Sequence, residues 1–434
     1  MSAERRWARV ALLAIGGGVI LRLVFGLLLH PPLDYVYSDM QGYVTRATRL
    51  ASGDALNRFD AFFPAGTHIL LALPLKIFGS GRGGLWAASV LWVALSCAVP
   101  VLAWRFALRV MSPKAAAISA ALVSFWPVYI AYGGFFMSEI PSVVALLGTL
   151  CLAFRAREAI GRSRLVLAAA TGVVAGAALA IRPQLLLNVA IAAVTVFGVR
   201  RSLRVAAAAA VGVIVPLGAV LALNASAAGT FAGLSENGGL NFFQGHCPVH
   251  DVRTEKPGAG VLVFASPVVV QQERGRNYVF RDHIAWEQNF FFRQGLDCIR
   301  DDGLGHVTVL ARNVADLGIT SVPWPPSNER GLRRFVRPAN LAFSWVLPSI
   351  IVAGFAYASG RRKRDGAEEG PPADRTGLLL AHLLCVFPTA IVFYGDPRFR
   401  VPYDAFGLAL ASMLLVAFLD RRPAAATELP AGDG

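Results

Sequence analysis

Charge is scarce in this sequence: Asp, Glu, Lys and Arg make up 16% of 434 residues, where soluble domains run near a quarter. That shortage, with 55% hydrophobic residues, speaks against an ordinary water-soluble domain. Acids are scarcer than bases, 27 against 41, for a net charge of +14. In a soluble chain that excess would suggest nucleic acid; in a membrane chain it follows from the Lys and Arg of cytoplasmic loops. No nucleic-acid partner is expected. Cysteines number five, with no C-x-x-C pair and no Cys/His spacing suited to zinc. A P-loop and a G-x-S-x-G elbow are also missing, which disfavours a nucleotide-driven pump and a serine hydrolase. No metal-ligand cluster or cofactor motif stands out, so neither metal nor cofactor is expected.

What is present is a series of long apolar runs, each near the roughly 20 residues that cross a bilayer. They fall near 9–29, 85–107, 114–133, 138–155, 164–181, 184–199, 204–224, 340–358, 376–394 and 403–420. The first follows Arg5, Arg6 and Arg9 and has no small-residue cleavage site after it, so it reads as an uncleaved helix. The run 63–79 is short and holds Pro64, His68, Pro74 and Lys76. If it does not span, Arg105/Arg109/Lys114, Arg155/Arg157/Arg162/Arg164, Arg200/Arg201/Arg204, Arg361–Arg364 and Arg421/Arg422 all lie on one side. The positive-inside rule therefore favours about ten spans, both termini cytoplasmic, and 63–79 as a re-entrant or juxtamembrane helix.

The expected fold is an all-α polytopic membrane protein, with juxtamembrane helices in the first exterior loop and a small mixed exterior cap. It divides into a transmembrane module over 1–224 that includes the loop 30–84, a cap loop over 225–335, helices over 336–420 and a disordered cytoplasmic tail over 421–434. The cap loop holds eleven acidic and eleven basic residues, unlike the basic loops assigned inside. An amphipathic helix is expected over about 273–302. Cys247 and Cys298 are the cysteines of the exterior loops, and an oxidising compartment would allow them to pair. Spacing alone does not bring their Cα atoms within reach.

Four constellations could carry chemistry. In Ser38-Asp39-Met40-Gln41-Gly42-Tyr43, Ser38 and Gln41 make a capping box that predicts a helix to about Ser52. Asp39 then stands in its first turn, either as a plain helix-dipole partner or as a general base. Tyr43 and Arg46 share its face. In Met137-Ser138-Glu139-Ile140-Pro141, Glu139 either opens a helix or orients a substrate. Arg182, in Arg182-Pro183-Gln184, and Arg398 and Arg400, in Gly395–Arg400, stand on the outer side against the topological bias. They could bind a lipid-borne phosphate, pair with Asp396, Asp404 or Glu139, or snorkel to headgroups. Finally, Asn237, Asn241, Gln244 and His246 are interleaved with aromatics in a segment resembling a sugar-binding surface or a Gly/Asn-rich turn. Trp324 could stack on a sugar or sit in the aromatic belt.

In their order these segments resemble bacterial GT-C glycosyltransferases, a set related to protein O-mannosyltransferases and lipid A aminoarabinose transferases. The segments are Ser38–Tyr43, Phe63-Pro64-Ala65-Gly66 with Lys76–Gly79, Ser138-Glu139, Arg182-Pro183, Asn237–Gly245 and Asp396–Pro402. The resemblance covers roughly 1–420. It implies an enzyme of the bacterial inner membrane whose active site faces the exterior. By it, Asp39 matches the catalytic carboxylate and Glu139 a second acidic position. Arg182 and Arg398 match positions suited to the donor phosphate. From its own placing Arg400 joins them as a phosphate candidate, and from their chemistry Tyr43, Arg46, His68, Asn237, Asn241, Gln244, His246 and Trp324 are the substrate candidates. The donor would be a polyprenyl-phosphate-linked sugar, and the acceptor a lipid, polysaccharide or protein. The chain departs from the O-mannosyltransferase pattern in having Met40 after Asp39 and no long soluble C-terminal domain, which opens the acceptor class. Two rivals are a lipid-linked sugar flippase and an inactive envelope-assembly scaffold. The first would place acids inside the spans, where this sequence has almost none.

Overall fold

The computed structural model describes residues 2–197, 202–247, 249–254, 268–272, 277–280, 287–318, 330–362 and 373–420. Helix α1 (Ala3–Val24) ends in a π-turn, and α2 (Ser38–Ser52) and α3 (Gly66–Phe78) follow in the first loop. Next come α4 (Arg82–Val110), α5 (Pro113–Ser124), α6 (Pro127–Gly133), α7 (Glu139–Glu158), α8 (Gly161–Ile181), α9 (Leu186–Phe197) and α10 (Leu203–Ala228). The cap contributes α11 (Gly238–His246), the antiparallel strands β1 (Val249–Thr254), β2 (Val268–Gln272) and β3 (Asn277–Phe280), then α12 (Gln288–Asp302) and α13 (His306–Asp316). The chain closes with α14 (Arg330–Arg362), α15 (Ala373–Leu384), α16 (Val386–Val392), α17 (Pro397–Arg400) and α18 (Asp404–Leu419).

Among the described residues, eight helical segments are long and apolar enough to cross a membrane, and the pair α5–α6, bent by 47°, makes a ninth. The tenth expected span, 184–199, is shorter than its apolar run. Pro183 begins a 3-10 turn that takes up the residues to Leu185, leaving 12 residues in α9. At 1.5 Å per residue those rise about 18 Å, against a hydrocarbon core of about 30 Å. The packing nevertheless puts the end of α8 and the start of α10 at opposite ends of the bundle. Helices α8 and α10 run parallel: a Cβ on Gly172 would meet Ala209 O at 2.1 Å, and one on Gly176 would meet Val213 O at 2.6 Å. Glycine alone permits such a backbone approach, as at small-residue interfaces in membranes.

The bend between α5 and α6 leaves helix-end carbonyls inside the bundle, where water cannot satisfy them. Arg22 of α1 supplies the donors, reaching Val123 O and Gly18 O at 3.0 Å and also Ser124 O. At the end of the bundle away from Arg182, the basic loops are tied by Arg109–Glu158 and by Lys114–Asp420 at 2.7 Å. The first loop contributes α3 as a 13-residue apolar helix, shorter than a membrane span needs. The cap helix α12 begins at Gln288, later than the expected 273. The stretch Asn277–Phe280, with its β-branched and aromatic residues, pairs with β2 instead.

Candidate functional site

Helix α2 begins where the sequence indicates, by other means than a capping box. Tyr37 holds the N-cap position without a side-chain bond, and Ser38 is the first helical residue with φ of 51°. It is the one non-glycine residue with positive φ among those described. Such backbone costs about 1–3 kcal/mol and collects at functional sites. Here it sets the direction of Asp39, the next residue. The helix stops at Gly53, whose left-handed φ of 77° gives the C-terminal cap.

Asp39 Oδ2 accepts from Arg398 Nη1 at 2.9 Å, and 21% and 18% of the two side chains remain exposed. Arg398 is aimed by its own turn: Asp396 accepts from Arg398 N at 2.8 Å and caps α17 at Pro397. A second pair, Arg182–Glu139, lies buried where α8 ends and α7 begins. Arg182 Nε donates to Ser138 Oγ at 2.9 Å, while Glu139 Oε2 and Arg182 Nη1 are buried without a hydrogen-bond partner. Tyr43, one turn along α2 from Asp39, feels all four groups. Burial first, then Asp39 and Glu139, push its phenol up to about 12 against the opposing pull of Arg182 and Arg398. The phenol therefore stays protonated and can donate at any physiological pH. Asp39, Arg398, Glu139, Arg182 and Tyr43 thus form one cluster, with two carboxylates and two guanidiniums around a neutral hydroxyl.

The other expected site residues lie in networks of their own. The Arg400 guanidinium is bound within the protein by Asp404 Oδ1 at 2.8 Å, Ser344 Oγ at 2.6 Å, Asn340 Oδ1 and Leu317 O. Arg46 donates twice to Phe59 O, at 3.0 and 2.8 Å, and its guanidinium lies 3.8 Å from the Phe59 ring centre. Burial lowers it to about 10, still charged at neutral pH. Arg46 lines a crevice with His68, Asp60, Leu50, Leu56 and Asn224. There burial first, then Arg46, press the His68 imidazole down to about 3. Asn237 accepts from Ser235 Oγ at 2.9 Å, and Asn241 and Gln244 are half-buried along α11. His246 bonds to His306 and to Val392 O. Trp324 lies outside the described residues. Cys247 and Cys298 are joined in a disulfide with their Cα atoms 5.4 Å apart, tying α11 to α12.

Sequence reasoning missed several supporting residues. Glu236, held by Arg58 through Nε at 3.0 Å, joins the cap to the first loop. Tyr394, half-buried and raised first by desolvation, bonds to Arg398. Asp396-Pro397 carried a readable signal as a helix-opening pair, and Glu236 heads the polar segment that runs to Cys247, whereas Tyr394 had no such signal. Among the described residues, no three His, Cys, Asp or Glu side chains gather as a metal centre would need.

A polytopic helical membrane protein with paired carboxylates and guanidiniums at one end of its bundle is the class that this fold and site define. No family model matches the sequence, and no curated protein matches it. Solved structures do match. The oligosaccharyltransferase of Archaeoglobus fulgidus in its apo form superposes with a TM-score of 0.50 and 14% identity, over 95% of this chain and 51% of that one. The same archaeal enzyme in complex with an inhibitory peptide and a dolichol-phosphate gives 0.48 and 14%, over 99% and 53%. ArnT from Cupriavidus metallidurans gives 0.41 and 14%, over 95% and 77%. The chain spans about half the length of the oligosaccharyltransferase it matches. The fold is thus shared with that archaeal oligosaccharyltransferase.

Proposed function

We propose that this chain is an inverting glycosyltransferase that moves a sugar from a polyprenyl-phosphate carrier to an envelope acceptor at the exterior face of a bacterial cell membrane. The observation that carries the reading is that the Asp39–Arg398 and Glu139–Arg182 pairs both act on Tyr43, at the end of the bundle away from the basic loops. The disulfide in the cap supports an oxidising, exterior side for that end.

A donor phosphate competes with Asp39 for Arg398 and finds a second donor in Arg182 Nη1. Guanidinium suits this role because it meets phosphate oxygens in a fork and keeps its charge. Displaced from Arg398, the Asp39 carboxylate takes the proton of an acceptor hydroxyl as that oxygen attacks the anomeric carbon. The bond from anomeric carbon to phosphate oxygen breaks on the opposite face, and its electron pair leaves with the phosphate. Glu139 holds Arg182 in place and offers its second oxygen to a sugar hydroxyl. Arg400, bound by Asp404 and Asn340, takes no part in this scheme. The acceptor is a membrane lipid, a polysaccharide or a protein.

Transfer of labelled sugar from synthetic polyprenyl-phosphate sugars, by the purified chain in nanodiscs with membrane extract as acceptor pool, tests the reading. Wild type transfers label, and Asp39→Asn reduces transfer about 10²–10⁴-fold while folding normally. Full transfer by folded Asp39→Asn removes Asp39 as base. A wild type that consumes no donor overturns the transferase and brings lipid-linked sugar flipping forward, measured in proteoliposomes without acceptor.

A further inference from the structure

The strap that carries Arg398 is gripped by the cap along its backbone. His246 Nε2 lies 2.9 Å from Val392 O, and within the cap Asn313 Nδ2 of α13 donates to Gly245 O of α11 at 2.8 Å. Residues 393–395 are wedged between α11 and α13. A Cβ on Gly245 would stand 1.2 Å from Phe393 O, and one on Gly395 1.8 Å from Asn313 O. From Val392 the strap runs through Tyr394, which bonds to Arg398, and so to Asp39.

Behind His246 stand two more groups. His246 Nδ1 is 2.9 Å from His306 Nε2, and His306 Nδ1 is 3.0 Å from Asp302 Oδ2. Hydrogen counting constrains this chain. A carbonyl only accepts, so His246 Nε2 carries a hydrogen. An ionised carboxylate only accepts, so His306 Nδ1 carries another, and one more lies between the rings. Three ring hydrogens are one more than two neutral imidazoles hold. Burial above all, and His306 beside it, hold His246 below its ordinary value. The elements packed around the chain carry Asp297, Arg300 and Asp301 on α12, Arg312 and Asp316 on α13, Tyr394, Asp396 and Arg398 on the strap, and His250, Asp251 and Arg253 on β1.

We propose that Asp302, His306 and His246 form one positioning unit that shares a surplus proton and, through Val392, sets where Arg398 meets the donor phosphate. The proposal rests on the reading of Arg398 as a phosphate ligand. With the proton bound, every link of the chain has a donor and an acceptor. When it leaves, one link sets two lone pairs face to face and the strap loosens. The grip is therefore complete at low pH and is lost as pH rises through the range in which histidine titrates.

Donor KM and kcat, measured across that range for the full chain in nanodiscs, test the unit. Wild-type donor KM rises about tenfold on the alkaline side, the size of one lost charge-assisted hydrogen bond, with a smaller change in kcat. Asp302→Asn is the diagnostic variant. Its carboxamide donates to His306 Nδ1, the chain closes with two neutral rings, and KM stays low and flat. His306→Phe raises KM at every pH. An Asp302→Asn profile that keeps the wild-type rise, or a wild-type KM in folded His306→Phe, overturns the unit. Absence of transfer by wild type would instead overturn the proposed function. The unit is then judged by thermal unfolding in the same nanodiscs, where the wild-type midpoint falls over the alkaline limb and that of Asp302→Asn does not. Equal falls in both overturn it.

Discussion

Asp39 and Arg400 show how far a residue's type predicts its role. Both are charged groups at the end of the bundle away from the basic loops, and both have an oppositely charged partner. Asp39 and Arg398 keep about a fifth of their side chains exposed, so a substrate can compete for either. Arg400 is 1% exposed and bound by four acceptors, so its charge is spent on holding α18 to α14. Local sequence could not separate the two arginines, two residues apart in one motif. His68 yields a prediction at this scale. Its pKa falls from 6.5 to about 3 on folding, so the unfolded state binds more protons and stability falls as pH drops below 6.5. The loss amounts to about 2 kcal/mol at pH 5. In thermal unfolding between pH 7 and 5, His68→Gln should lose about that much less than wild type. An equal loss in both would show that His68 is reached by solvent.

At the scale of elements, helices whose apolar character is continuous were legible and their breaks were less so. The run 114–133 is one apolar segment in sequence, yet it folds as α5 and α6 with a 47° bend. Pro127 cannot donate to the preceding turn, which prepares the break. The guanidinium of Arg22 that stabilises it comes from about a hundred residues away. The amphipathic helix of the cap begins at Gln288 because the preceding Asn277–Phe280 finds a strand partner in β2. The tightest helix pair depends on glycine. Gly172→Val places branched carbon where Ala209 O stands 2.1 Å from a Cβ. It should force α8 and α10 apart and lower the unfolding midpoint by several degrees, whereas Gly16→Val, with open space around it, should change it little. Equal midpoints for the two variants would show that α8 and α10 do not approach so closely.

At the scale of the whole molecule, the site end and the basic end are opposite ends of one bundle. Positive-inside charge then predicts which faces out. Single cysteines introduced at exposed Ser52 and Ser163 read this directly, against the native cysteines Cys97, Cys151 and Cys385. In intact cells a membrane-impermeant maleimide should label Ser52→Cys. Ser163→Cys should react only after permeabilisation. The reverse pattern would invert the topology and move the proposed chemistry to the inner face.

The sequence by itself determined the membrane class, the position of nearly every long apolar helix and the placing of Asp39, Glu139, Arg182 and Arg398 at the end of the bundle away from the basic loops. These depend on hydrophobic length and charge bias, which accumulate over contiguous residues. It could name Cys247 and Cys298 as possible partners without joining them. The tertiary structure alone decided which carboxylate meets which guanidinium, because Asp39 and Arg398 lie 359 residues apart. It also decided that Arg400 serves the fold, that the two cysteines bond and that His246 of the cap meets Val392 O. Such pairings arise where helices distant in the chain bring their ends together, and a buried charge or polar atom must then take whichever partner the packing supplies.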